Sequence, residues 1–130
     1  MSDRGIPPNP QRGELWLVNF EPQRGQEVKK RRPALVVGEP MLGNLSLRIV
    51  VPVFTDRGRH IKLPWFVRIP KSARSGQDRD GEIDASQVKS VSVNRFDKKI
   101  GDVTPGQIVG VVDAIALCLG YELPGGPGYS

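Results

Sequence analysis

Apolar residues recur with a period of two through most of the chain and with a helical period only at its end. In Glu14-Leu-Trp-Leu-Val-Asn-Phe20, Trp16, Val18 and Phe20 fall on one face of a strand and Leu15 and Leu17 on the other, a pattern of burial on both sides. Pro33-Ala-Leu-Val-Val-Gly38 resumes the strand pattern, with Pro33 tolerated at a strand start. Leu47–Thr55 alternates Leu47, Ile49, Val51 and Val53 on one face, and Pro52 marks an edge or a bulge. Pro64–Pro70 is a short strand bracketed by prolines, Glu82–Val88 and Val91–Val93 read as short strands, and Lys98–Ile100 as an edge piece. Between them, Lys71–Asp80 is polar enough to be a mobile loop.

The last element is the clearest. Thr104-Pro-Gly-Gln107 offers an N-cap Thr, a Pro at the first helical position and a Gln three residues after the cap, which together form a capping box. Ile108, Val109, Val112, Ile115, Ala116 and Leu119 then follow at helical spacing, and Gly120 stands where a C-terminal glycine ends a helix. Strands first and a packed helix last predict a mainly β (α+β) fold, a small twisted, barrel-like antiparallel sheet closed by a C-terminal helix. The polar, Pro-rich residues 1–12 and the Gly/Pro-rich residues 121–130 read as tails around a folded unit at 13–120.

Composition narrows the chemistry. The 130 residues suffice for one domain. The formal charge of +5 favours a polyanionic partner. A single Cys (Cys118) and a single His (His60) exclude an internal disulfide, Cys/His zinc frameworks, HExxH sites and any reaction needing two imidazoles. No apolar leader and no run of 18 apolar residues are present, so a soluble, cytoplasmic protein without membrane contact is expected. There is no Walker A loop and no GxGxxG.

Most candidate residues also have plain structural readings. Lys29-Lys-Arg-Arg32, with Arg24 and Glu27 just ahead, reads as a solvated basic loop between two strands. Thr55, followed by Asp56 and Arg57, reads as a turn hydroxyl closing an ST-motif. Gln87 reads as one residue of a half-exposed strand, and Ser86-Gln-Val-Lys89 matches S-x-x-K without the companion motifs of the serine hydrolases. His60 in its basic turn reads as a surface residue, and Cys118, Trp16 and Trp65 as core.

Taken together, however, these segments form an ordered set. Arg12-Gly-Glu-Leu-Trp-Leu-Val-Asn-Phe-Glu-Pro-Gln-Arg-Gly-Gln-Glu27 and Arg31-Arg-Pro-Ala-Leu-Val-Val37 closely resemble the opening of the MazF/PemK (Kid) toxins of bacterial toxin–antitoxin systems. The resemblance continues through Val51-Pro-Val-Phe-Thr55, Asp84-Ala-Ser-Gln-Val88, Asn94-Arg-Phe96 and the terminal helix, over about residues 13–120. It implies an SH3-like fold shared with the MazF, CcdB and Kid toxins. It also implies a sequence-selective, metal-independent endoribonuclease (an mRNA interferase) without cofactors, homodimeric, and inhibited by a MazE-like antitoxin whose acidic segment blocks the RNA groove. The family's catalytic Arg and Thr fall on Arg24 and Thr55, Glu27 and Arg32 match contributing loop positions, and Gln87 matches a position near bound RNA. Val28-Lys-Lys30 departs from the family's Gln-Gly-Gly or Gln-Ala-Gly.

The chemistry such an enzyme needs suits these residue types. In single-stranded RNA a ribose 2′-OH can attack the adjacent phosphorus, leaving a 2′,3′-cyclic phosphate and a 5′-OH, so the protein supplies position and charge. Arg24 and Arg32 can hold the non-bridging oxygens, Thr55 can hydrogen-bond the same phosphate, and Glu27 is the candidate base. Lys29, Lys30, Arg57 and Arg59 would line the strand's approach. Two alternatives keep the fold: a CcdB-like gyrase poison, disfavoured because no Trp follows Gly120, and a non-catalytic RNA- or antitoxin-binding module.

Overall fold

A computed structural model describes residues 8–20, 31–41, 45–56, 58 and 63–121. Among the described residues, eight strands and one α-helix run in the order β1 (Glu14–Asn19), β2 (Arg31–Val36), β3 (Leu47–Pro52), β4 (Phe54–Thr55), β5 (Phe66–Ile69), β6 (Gly81–Asp84), β7 (Lys89–Ser92), β8 (Phe96–Asp102) and α1 (Pro105–Cys118). They build a five-stranded sheet, β7-β3-β2-β1-β8, and a three-stranded sheet, β4-β6-β5, with antiparallel pairing throughout. The mainly β class with a C-terminal helix is as expected. The sheets do not close into a barrel: β7 and β8 remain as edges of the larger one.

The two-faced pattern of β1 has a direct outcome. Leu15 packs with Leu35, Val51, Ile69, Ile83 and Val111 in the core between the sheets and the helix. Val18 packs with Ala34, Val36, Val50 and Phe96 on the opposite face, flanked by Trp16 and Phe20. Trp16 meets Phe96 edge-on at 5.8 Å between ring centroids and donates its indole N–H to Glu14 Oε1 at 2.9 Å. Each fully buried aliphatic side chain contributes about 1.5–3 kcal/mol. Asn9 and Pro10, which the sequence pattern places in a tail, are held against this sheet by the buried Arg48 guanidinium, which donates to Pro10 O and to Asn9 Oδ1, each at 2.9 Å.

Three expectations are revised. Leu47–Thr55 is two strands, because the chain leaves the first sheet after Pro52 and joins the second at Phe54. The strand expected to end at Val88 ends at Asp84, whose carboxylate accepts from Ser86 N and starts a 3-10 turn over Ala85–Gln87. The segment 71–80 is a packed turn. Ser72 and Ser75 cap each other's main-chain N–H groups at 3.1 and 3.0 Å, Ser75 is buried, and Asp102 N donates to Arg74 O at 2.9 Å. Two glycines allow this closeness: a Cβ on Gly76 would strike the Ile100 carbonyl, and one on Gly101 the carbonyls of Arg74 and Ser75.

The helix conforms to its sequence signals. Thr104 Oγ1 accepts from Gln107 N at 3.1 Å and the Gln107 side chain accepts from Thr104 N at 2.8 Å. At the other end Gly120 has φ +77°, with Gly120 N donating to Leu117 O and Tyr121 N to Ala116 O, each at 3.0 Å, the Schellman arrangement. Cys118, expected in the core, is exposed. Among the described residues no helix is long and apolar enough to cross a membrane. Thr104→Ala is expected to lower stability by about 1 kcal/mol through loss of the cap, read as a shift of the urea midpoint at constant m-value.

Candidate active site

The turn at 71–80, the β2 entry, β4 and β8 enclose a cleft of about 780 Å³, within the range of about 300–1,000 Å³ usual for small-ligand sites. Its walls carry Arg31, Arg32, Thr55, Gln77, Arg79 and Lys98, with Lys99, Asp78 and Asp80 at the periphery.

Arg32 is the second residue of β2 and pairs with Val18, and its guanidinium carbon lies 4.4 Å from the centroid of the Phe54 ring. The ring covers one face of the guanidinium, and among the described residues its N–H fork has no hydrogen bond or ion pair, the geometry that suits an anion. Phe54 pairs with Glu82 and Thr55 with Gly81 across β4–β6, so Arg32 and Thr55 reach one cleft from different sheets. The turn after Thr55 closes differently from expectation: Asp56 Oδ1 accepts from Gly58 N at 2.8 Å, and Gly58 has φ +74°. The exposed Thr55 hydroxyl has no hydrogen bond among the described residues.

Ion pairing separates the cleft's cations. Arg31 pairs with Asp97 at 3.1 Å. Lys99 pairs with Glu14 and Asp102, each at 3.2 Å, which raises its ammonium above the usual lysine value, Glu14 contributing most. Arg32, Arg79 and Lys98 have no ion pair among the described residues. They leave an excess of positive charge at the opening, the sign a phosphate backbone requires.

Behind Thr55, Arg68 bridges Asp56 at 3.0 Å and Asp80 at 2.6 Å. Asp56 N donates to Asp80 O at 2.9 Å, and Lys71 N to Asp80 Oδ1 at 2.9 Å. The Lys71 N–H first, and then Arg68, hold the Asp80 carboxyl below the usual aspartate value. This clamp ties the residues on either side of the β4–β6 pair to one another. Partial desolvation, despite its surface position, and then the Asp84 carboxylate push the Cys118 thiol up, which disfavours its thiolate. Among the described residues no group of three or more His, Cys, Asp or Glu side chains converges for a metal ion.

Of the residues singled out by sequence, Arg32 and Thr55 come together in the cleft. Gln87 is exposed at the end of the 3-10 turn, off the cleft wall. Arg24, Glu27, Lys29, Lys30, Arg57, Arg59 and His60 lie outside the described residues. Sequence reasoning missed Gln77, Arg79 and Lys98; the available signal was the Gly76–Gly81 bracket around Gln77-Asp-Arg-Asp80, which marks a constrained turn.

Residues 11–119 match the family described as PemK-like, MazF-like toxin of type II toxin–antitoxin system. Endoribonuclease MazF9 of Mycobacterium tuberculosis is 28% identical over 111 residues, covering 83% of this chain and 94% of its own length. Endoribonuclease MazF of Staphylococcus saprophyticus is 27% identical, covering 85% and 92%. Among solved structures, a mycobacterial endoribonuclease in complex with its cognate antitoxin aligns with TM-score 0.70 at 21% identity, over 88% of this chain and 99% of that one. MazE-MazF from Deinococcus radiodurans aligns with TM-score 0.69 at 25% identity, over 88% and 98%.

The clamp makes a pH-dependent contribution to stability. Because folding lowers the Asp80 pKa, its contribution is present above the unfolded value of about 3.9 and is lost as pH falls through the lower folded value. Asp80→Asn is expected to lower the melting temperature at pH 7, and the gap from the unsubstituted protein is expected to close progressively in thermal melts taken below about pH 3.9.

Proposed function

Because this chain belongs to the PemK-like, MazF-like toxin family of type II toxin–antitoxin systems, we propose that it is an endoribonuclease that cuts single-stranded RNA at selected sequences without a metal ion. The observation that carries this reading is Arg32, stacked on Phe54 and sharing a basic cleft with the Thr55 hydroxyl, which has no hydrogen bond among the described residues.

A phosphodiester seated between them presents its non-bridging oxygens to the Arg32 fork and accepts a hydrogen bond from Thr55 Oγ1. The neighbouring 2′-oxygen attacks phosphorus in line. Its bond to phosphorus forms as the bond to the 5′-oxygen breaks, giving a 2′,3′-cyclic phosphate and a 5′-OH. The proton leaves the 2′-OH and one is delivered to the departing 5′-oxygen. Arg32 stabilises the charge that accumulates on the phosphorane, where a fixed donor acts most strongly. An arginine holds its proton at any working pH, so its part is electrostatic. The resemblance assigns a second catalytic guanidinium to Arg24 and the proton-accepting role to Glu27. Because the nucleophile belongs to the substrate, neither metal nor cofactor is required by this route.

Lys29, Lys30, Arg57, Arg79 and Lys98 attract and track the backbone of the strand, and Gln87 contacts RNA beyond the cleft. The antitoxin complexes among the structural neighbours support a MazE-like antitoxin as partner; the family resemblance adds a cytoplasmic homodimer whose cleft is blocked by the antitoxin's acidic segment.

The test is incubation with a long RNA in EDTA, followed by mapping of new 5′ ends. Discrete ends bearing 5′-OH are expected, and Arg32→Ala and Arg24→Ala should each lower the rate by about 10²-fold. Binding without new ends would replace catalysis with a binding module.

A further inference from the structure

We propose that Gln77 reads a base: its carboxamide is the specificity-determining group for the nucleotide flanking the phosphate held by Arg32 and Thr55. The inference rests on the RNA-cutting reading of the cleft and adds to it a residue that recognises sequence.

Gln77 Oε1 is buried and, among the described residues, has no hydrogen-bond partner. An orphaned buried amide oxygen forfeits the hydrogen bonds it made to water, and such an atom in a wall otherwise well satisfied marks a group kept for a purpose other than packing. The surroundings are built around this side chain. Gly81 is not in the left-handed backbone region, so its conformation does not require glycine. Its space matters: a Cβ there would lie 2.5 Å from Gln77 Nε2 and 2.5 Å from Val53 Cγ1, so one or both side chains would have to shift. Glycine at 81 therefore makes room for the carboxamide.

Position completes the argument. Gly81 is the residue paired with Thr55 across β4–β6, so the carboxamide lies against the strand position opposite the hydroxyl assigned to the phosphate. The turn that carries it is anchored, with Gln77 N donating to Ser75 Oγ at 3.4 Å and Gly76 packed on the Ile100 carbonyl. The backbone is fixed, and the reader moves by rotation about its own side-chain bonds. When a base enters, the carboxamide turns out of the wall. It exchanges an orphaned oxygen for a pair of hydrogen bonds to the base edge, its oxygen accepting from an exocyclic amine and its NH₂ donating to a ring nitrogen or carbonyl. Arg79 and Lys98, on the same cleft, supply charge without base discrimination.

The experiment compares 5′ ends generated from one long RNA by the full chain, Gln77→Met, which keeps the volume without the hydrogen bonds, and Gln77→Glu, which keeps the size and removes the donors. With Gln77→Met, discrimination at one nucleotide position beside the cut is expected to fall about tenfold, while total cleavage falls less than with Arg32→Ala. With Gln77→Glu, preference at that same position is expected to shift toward bases that present an amine. An unchanged site profile in both variants, or a uniform loss at every site at unaltered melting temperature, overturns the base-reading role and leaves the ribonuclease standing. If the unsubstituted chain produces no new ends, the ribonuclease falls and the reader with it.

Discussion

Proline has no N–H to give a ladder, and at Pro52 the chain changes sheets. β3 has paired with β2 up to Ala34–Pro52, Val53 N donates to Pro33 O at 2.8 Å, and two residues later the same strand path is pairing with β6. Everything at the cleft follows from that crossing. Val53 stays in the core between the sheets, Phe54 arrives beneath the Arg32 guanidinium, and Thr55 reaches the edge of the second sheet beside the 71–80 turn. A continuous strand would carry Phe54 and Thr55 along the first sheet, away from Gly81. The junction of two open sheets is thus what brings a cation and a hydroxyl from distant sequence positions to one cleft.

The parts of this architecture that local chemistry dictates were legible in the sequence. The capping box at Thr104 and the glycine stop at Gly120 rest on bonds within a few residues, and both form as read. The double-sided burial of β1 follows from four consecutive apolar side chains in a six-residue strand, which no exposed strand would carry. Pro52 was readable as an interruption, but its consequence was not, because a sequence does not say which second sheet awaits the strand.

What escaped depends on contacts between distant segments. Residues 71–80 look like a solvated loop because polar side chains dominate, yet the segment is fixed by backbone packing against β8 at Gly76 and Gly101, which hydropathy does not register. Gln87 looks like a strand residue because Glu82–Val88 alternates, but Asp84 caps a 3-10 turn and ends the strand early. Cys118 falls at an apolar helical position and is nonetheless exposed, since the helix outlasts the surface it packs on. Arg32 was legible as a basic residue beside a strand; the aromatic platform under it came from β4, more than twenty residues on.

The close contact between Gly76, Gly101 and the carbonyls of the opposing segment has an evolutionary consequence. One wall of the cleft is held by main chain meeting main chain at two glycines and by the Ser72–Ser75 and Asp80 bonds at its base, and none of these involves the side chains of residues 77 to 79. Residues 77 to 79 can therefore drift while the scaffold beneath stays constant. Such a surface lets related chains diverge in what the cleft touches by exchanging a few side chains, with no need to rebuild the scaffold at each step.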